Sequence, residues 1–531
     1  MLRETDAPAG GVDDAGGPTD GGDRTVEGAD VPVVDGSDVP LVSGSVVADV
    51  YVPDAAPDVV GVAATDFADD VERVTGERPT VTNDAGETAG TLVVAGVAGD
   101  SPVVDRCLAA SDVETGSFAD GGTNGDGEAF GDCRESTVVA TIADPPAEVA
   151  AEHCLLVAGS DRRGAAYGLY ELSKRMGVSP WYWWADVPVD ERESVVVAAG
   201  SYTFGPPDVT YRGVFLNDED FGLRPWANET HAPDDDRSGI GPATYERVFE
   251  LLLRLKANTI WPAMHPGTRA FYRYDEHADL ADRYAIVVGT SHCEPMHRNN
   301  VDEWDRPAET WNYATNRETI REYWRERVEA VADYENTFTL GMRGIHDSGM
   351  PGGDSPAETR RLLQAVIDDQ REIIAETHDE PVDAVPQIFC PYKEVLDLYR
   401  ADLDVPEDVT ILWPDDNYGY LRQLPNADER ERSGGHGLYY HLSYWGRPHD
   451  YLWLSSVPLG LIEHELTRAY DAGADEYWVF NVGDIKPTET EMAFALDLAW
   501  DVESARERPT ADWLESWASR TFGPTHASAI A

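Results

Sequence analysis

From residue 211 onward one texture repeats. Short apolar, β-rich runs alternate with longer segments whose apolar residues recur every three or four positions. The short runs lie at 211–216, 259–262, 285–289, 337–342, 387–389, 410–413, 438–442 and 477–480. Helical spacing occupies 245–256, 317–332, 356–376, 393–403, 459–472 and 489–500. Strand then helix, repeated, means parallel strands joined by helical crossovers. Eight such units over about 290 residues match the size of a (β/α)₈ TIM barrel. A doubly wound open sheet shares the pattern. No Gly-rich phosphate turn follows a strand, so a nucleotide-binding fold has little support. The 245–256 and 459–472 segments read as ordinary amphipathic helices facing the barrel core.

Ahead of the barrel the pattern is that of a small α/β domain. Strands are predicted at 46–52, 92–97, 138–142 and 154–158, and helices at 67–75 and 164–175. The expected organisation is a disordered acidic N-terminal tail at 1–38, the small domain at 39–205 and a barrel domain at 206–505. A Gly- and Asp-rich patch at 111–136 reads as a solvated insertion. The run Trp181-Tyr182-Trp183-Trp184 predicts packing against the following domain, with a sugar platform as the alternative. Trp513, Leu514, Trp517 and Phe522 read as the opening of a further helical region at 506–531, so a truncated form is expected.

Composition narrows the partners. The 531 residues carry 99 acidic against 41 basic side chains, a formal charge of −58. That charge argues against nucleic acid and anionic membranes. A hydrophobic content of 42% is too rich for disorder along the whole chain. Lysine is nearly absent: Lys174, Lys256, Lys393 and Lys486 are the full set. An acidic surface stripped of lysine predicts a halophilic protein, kept soluble where salt screens self-repulsion. Cys107, Cys133, Cys154, Cys293 and Cys390 are scattered without CxxC spacing, which offers no disulfide framework and no zinc site. No apolar run is long enough to span a bilayer, and the first residues lack an apolar signal core, so a cytoplasmic location is expected.

In a barrel of this kind the chemistry sits where strands end. The eight predicted ends are followed by Asn217-Asp218-Glu219-Asp220; Trp261 and His265; His292 and Glu294; Arg343, His346 and Asp347; Tyr392-Lys393-Glu394; Asp415-Asp416-Asn417-Tyr418; His441, Tyr444 and Trp445; and Asn481, Asp484 and Lys486. Carboxylates, cations and aromatic rings gathered at one end suit a sugar acid. Glycoside hydrolysis needs two carboxyl groups across the scissile bond. Indole and phenol rings stack on pyranose faces, and a uronate is best held by Arg or Lys. Asp218, Glu219, Asp415 and Asp416, with His292 or His441, could instead ligate a metal. No HExxH or comparable spacing appears, so no metal and no cofactor is expected.

Several long blocks carry a resemblance. Tyr211-Arg-Gly-Val-Phe-Leu-Asn-Asp-Glu-Asp220, Gly341-Met-Arg-Gly-Ile-His-Asp347, Pro391-Tyr-Lys-Glu-Val395 and Trp413-Pro-Asp-Asp-Asn-Tyr-Gly-Tyr420 resemble glycoside hydrolase family 115. So do the segments 253–265, 289–296, 439–445 and 481–487, and the resemblance covers about residues 150–505. It implies an inverting α-glucuronidase that releases glucuronic or 4-O-methylglucuronic acid α-1,2-linked to xylan. The partner is then glucuronoxylan or a uronate-bearing xylooligosaccharide. It implies Glu394 as general acid, and functional roles for Asp347, Asn417 and an acidic residue taken as Asp218, with Glu219 as the alternative. Arg343 and His292 also fall in family blocks that line the site. Family members continue into a helical domain and a β domain, which support dimerisation in full-length relatives.

Each role has a plainer reading beside it. Glu394 could simply favour the first turn of a helix. Asp347 is the candidate general base, with Asp416 and Asp218 competing, or else a loop carboxylate paired with Arg343. Arg343 and Lys393 would clamp the uronate, or form salt bridges. Asn417, His292 and His441 would bond sugar hydroxyls, or hold turns and core. Trp261, Tyr418 and Trp445 would stack on rings, or pack the barrel rim. The alternative functions are a non-catalytic sugar-binding barrel and another glycosidase on the same scaffold.

Overall fold

The computed structural model describes residues 38–86, 90–111, 113, 130–217, 220, 222–233, 237, 239–446, 449–450 and 456–531. The expected N-terminal tail and most of the 111–136 insertion lie outside these residues. The chain divides into two compact units, residues 1–182 with 188–206, and residues 183–187 with 207–531.

The first unit is built on a six-stranded sheet in the order Val81–Thr82, Asp49–Tyr51, Thr91–Val97, His153–Gly159, Thr137–Ile142, Ser201–Phe204. The first four strands are parallel and the last two pair antiparallel. Thr91–Val97 is buried at every position, so it reads as an unbroken apolar run rather than an alternation. Helix Arg162–Arg175 starts where the Asp161 carboxylate accepts from the Arg163 and Gly164 amides at 2.9 and 2.8 Å. One expectation needs correcting. The run at 46–52 is two strands, Val46–Val47 and Asp49–Tyr51, in different sheets. The Ala48 amide still bonds the Leu41 carbonyl, whereas the Val50 amide bonds Thr80. A change of partner leaves no mark on the apolar pattern.

The second unit carries eight strands: β1 (Tyr211–Phe215), β2 (Thr259–Trp261), β3 (Val287–Val288), β4 (Phe338–Thr339), β5 (Gln387–Phe389), β6 (Thr410–Pro414), β7 (His436–His441) and β8 (Tyr477–Asn481). All pair in parallel, in the order β3-β2-β1-β8-β7-β6-β5-β4. A parallel bridge from Val288 to Asn336, just ahead of β4, links the two ends of this order. The result is a (β/α)₈ barrel. Between and after the strands run α1 (Pro242–Arg254), α2 (Glu276–Arg283), α3 (Tyr313–Val331), α4 (Pro356–Thr377), α5 (Glu394–Arg400), α6 (Leu459–Asp471) and α7 (Glu489–Trp500). Helix α2 was not expected from the pattern. Among the described residues the β6–β7 crossover has only a 3₁₀ turn, Glu429–Glu431.

Alternate strand positions fill the barrel. Phe215, Trp261, Ile388, Leu412, Tyr439, Tyr477 and Val479 form one buried cluster, with Tyr211 packed against it. At the floor the Tyr477 hydroxyl accepts from Trp261 Nε1 at 2.9 Å and lies 3.2 and 3.3 Å from the Thr259 and Thr337 hydroxyls. A buried phenol is tolerable because its oxygen is bonded. These bonds tie β2, β8 and the residue ahead of β4 together near the strand starts.

Candidate active site

The loops leaving β4, β5 and β6 are bent by residues in the left-handed region. His346, Asp347, Lys393 and Asn417 have φ of 57°, 58°, 53° and 70°. Such backbone costs a non-glycine residue about 1–3 kcal/mol and persists only where surrounding structure enforces it. All four belong to the strand ends singled out from the sequence, and the bends set where their side chains point.

Arg343, on the loop after β4, is the hub. It is 3% exposed. Its Nε stands 2.6 Å from Asp347 Oδ1 and its Nη1 3.2 Å from Glu394 Oε1. Its Nη2 donates to the Asp347 carbonyl at 3.0 Å and Nη1 to the Tyr392 carbonyl at 3.3 Å. Lys393 Nζ donates to Asp347 Oδ2 at 2.6 Å, and His292 Nε2 lies 3.3 Å from Oδ1. Burial by itself would push the Asp347 carboxyl up. The bond and charge of His292, with Arg343 and Lys393, outweigh it and hold the group well below the ordinary carboxylate range. His292 is held down by burial, against the pull of Asp347.

A cleft of about 220 Å³ opens here, walled by Asn217, His265, His292, Asp347, Tyr392, Lys393, Tyr439, His441 and Tyr444. A wider surface hollow of about 410 Å³ around Tyr399, Arg400 and Gln423 holds none of this ionic network. The cleft is therefore the better seat for chemistry. Its aromatic walls and cationic patch suit a ring bearing an anion. His292, Cys293 and Asp347 place donor atoms within 4.8 Å of one another, a set a metal could use. Arg343 and Lys393 already sit on Asp347, and burial pushes the Cys293 thiol far up, which disfavours the thiolate that a metal would need.

The structure brings Glu394, Asp347, Arg343, His292 and Lys393 into one network. Glu394, the first residue of α5, stands at its edge with a side chain 47% exposed. Asn417 accepts from the Tyr392 hydroxyl at 2.9 Å and so joins the cleft wall indirectly. His441 lines the cleft from β7. Asp416 is turned away into its own loop, where it accepts from the Tyr418 and Tyr420 amides at 3.1 and 3.2 Å and from Arg422 Nε at 2.8 Å. Trp261 corrects the stacking expectation: it is fully buried in the barrel interior, where no sugar face can reach it. Tyr418 is 40% exposed, its ring edge-on to Tyr444 at 6.0 Å. Asp218, Glu219 and the Trp445 side chain lie outside the described residues.

The sequence reading gave no role to Tyr392, Tyr444 or His265, and offered Asp415 only as a possible metal ligand. Tyr392 had a usable signal, since it continues the inward alternation of Ile388 and Cys390 by two residues. The tryptophan run, too, is partly resolved within the second unit: Trp183 meets Trp184, Trp226 and His231 edge-on at 5.2, 5.8 and 5.3 Å.

Comparison with known proteins adds the family. The model of glycosyl hydrolase family 115 matches residues 204–531. A solved family GH115 4-O-methyl-α-glucuronidase with specificity for decorated arabinogalactans is 39% identical, with a TM-score of 0.83. The alignment covers 93% of this chain and 61% of that one, so the chain spans less than two thirds of the relative's length. A mutant Streptomyces plicatus β-hexosaminidase in complex with its product is 13% identical over 94% of both chains, at a TM-score of 0.48. No curated protein matches the chain.

Proposed function

The chain belongs to glycosyl hydrolase family 115, and from that premise we propose that it is an α-glucuronidase acting on a uronate-decorated glycan. The observation that carries this reading is the Arg343–Lys393 cation pair on Asp347, with Asp347 and Lys393 lining an aromatic cleft and Glu394 paired to Arg343. The substrate's carboxylate binds this pair by charge-assisted hydrogen bonds. Its ring lies against Tyr392, Tyr439 and Tyr444, and Glu394 protonates the leaving glycosidic oxygen.

The specific substrate proposed is glucuronoxylan, with release of glucuronic or 4-O-methylglucuronic acid from an α-1,2 linkage and inversion at the anomeric carbon. The 39% identical relative favours a second reading, in which the decorated glycan is an arabinogalactan.

The test is release of free uronic acid from 4-O-methylglucuronoxylooligosaccharides and from decorated arabinogalactan, followed by chromatography. The xylan reading expects faster release from the first and its loss in Glu394→Gln. Faster release from the second replaces the substrate. No release from either, by folded protein, overturns the proposal.

A further inference from the structure

The turn after β6 carries two neighbouring carboxylates with opposite surroundings. Asp416 is bound to Arg422 and to loop amides. Asp415 is 5% exposed and faces inward. Its Oδ2 accepts from the Gly419 amide at 2.9 Å, and its Oδ1 lies 2.5 Å from His441 Nδ1. His441 is itself 1% exposed and lines the cleft. Among the described residues its Nε2 has no hydrogen-bond partner. The rings of Tyr439 and Tyr444 hold its plane, with centroids 4.7 and 5.2 Å away.

From this geometry we propose that His441 is the general base of the hydrolysis and that Asp415 is its positioning residue. The proposal rests on the glucuronidase reading given above. A carboxylate only accepts, so the Asp415 bond puts the imidazole proton on Nδ1 and leaves the Nε2 lone pair facing the cleft. In the step, Nε2 takes a proton from water as the water oxygen bonds to the anomeric carbon. The glycosidic C–O bond breaks, its electron pair goes to the leaving oxygen, and Glu394 gives that oxygen its proton. The imidazolium then returns its proton to solvent, and Glu394 is reprotonated from solvent.

The competing bases are worse placed. Asp347 is hydrogen-bonded by Lys393 and ion-paired with Arg343, with His292 3.3 Å away; these stabilise its charged form, and so strong a preference for that form makes it a weak proton acceptor. Asp416 is engaged by Arg422 outside the cleft wall. Asp218 enters the test directly.

The experiment compares the unsubstituted chain with His441→Ala, His441→Asn, Asp415→Asn, Asp347→Asn and Asp218→Asn on the glycan it cleaves. Circular dichroism checks that each variant is folded. His441→Asn keeps a donor toward Asp415 and serves if His441→Ala does not fold. The proposal expects both His441 variants to lose about 10²–10⁴-fold in kcat with little change in KM. It expects azide to restore turnover in them, with a β-configured glycosyl azide as product. Asp415→Asn, which misplaces the imidazole proton, is expected to lose about 10²-fold or more in kcat at unchanged KM. Azide rescue of Asp347→Asn or Asp218→Asn instead, or a His441 effect confined to KM, overturns the assignment while leaving the glucuronidase reading intact. An inactive unsubstituted chain sinks that reading, and this inference with it.

Discussion

At the scale of single residues, Asp347 shows how a site carboxylate can serve by holding others. Two cations and a histidine converge on it, and they hold its carboxyl well below the ordinary aspartate value of 3.8. A depressed carboxyl contributes stability that is complete above its unfolded value and is lost as pH falls through the folded value. Asp347→Asn should therefore lower the melting temperature near neutral pH. The gap between it and the unsubstituted protein should narrow as pH is lowered from about 5 to about 2.5, in thermal scans. Arg343 is the matching test of activity. Its guanidinium reaches Asp347, Glu394 and two carbonyls at once, a fork that an ammonium cannot reproduce. Arg343→Lys is expected to lower kcat/KM by about 10–100-fold in uronic acid release assays, about 1.4–2.8 kcal/mol of lost transition-state binding.

At the scale of elements, β8 and α7 carry features the site does not use. Tyr477, the first residue of β8, ties Trp261, Thr259 and Thr337 together across the barrel floor. Tyr477→Phe strands the buried Trp261 Nε1 and should cost about 1–3 kcal/mol in denaturant titrations. The floor is remote in function from the strand ends, so kcat should hold. In the first turn of α7, Glu491 is 6% exposed, and among the described residues its Oε2 has no hydrogen-bond partner. Burial, with Glu489 adding to it, pushes its carboxyl up to about 7. The folded state prefers the proton, so a penalty develops as pH rises from the unfolded value of 4.5 and is complete above about 7. Glu491→Gln is expected to stabilise the chain by up to about 3 kcal/mol at pH ~8 and to change little at pH ~4. A melting temperature that is insensitive to this substitution at alkaline pH counts against the burial argument.

At the scale of the whole molecule the dominant fact is a formal charge of −58. Added salt should raise the melting temperature by screening self-repulsion. If the substrate is an anion, kcat/KM should also rise with ionic strength, because the chain's field opposes the uronate until it reaches Arg343 and Lys393. A fall with salt would point to a neutral or cationic ligand. Much of the architecture could be read in one dimension. The eight strand positions followed from short apolar runs, and the family followed from blocks such as 341–347 and 413–420, because periodicity and side-chain chemistry are local properties. Helix α2 was missed because its sequence, Glu276–Arg283, is short and mostly polar. The choice between Asp415 and Asp416 could not be read either. Counting by twos from the inward-facing Leu412 reaches Asp416, yet it is Asp415 that bonds His441. Trp261 looked like a platform and became core. The sequence alone determined which chemical groups stand at the strand ends. Only the folded backbone decided which carboxylate meets which cation, because that depends on turns forced into left-handed φ and on neighbours supplied by strands far apart in the chain.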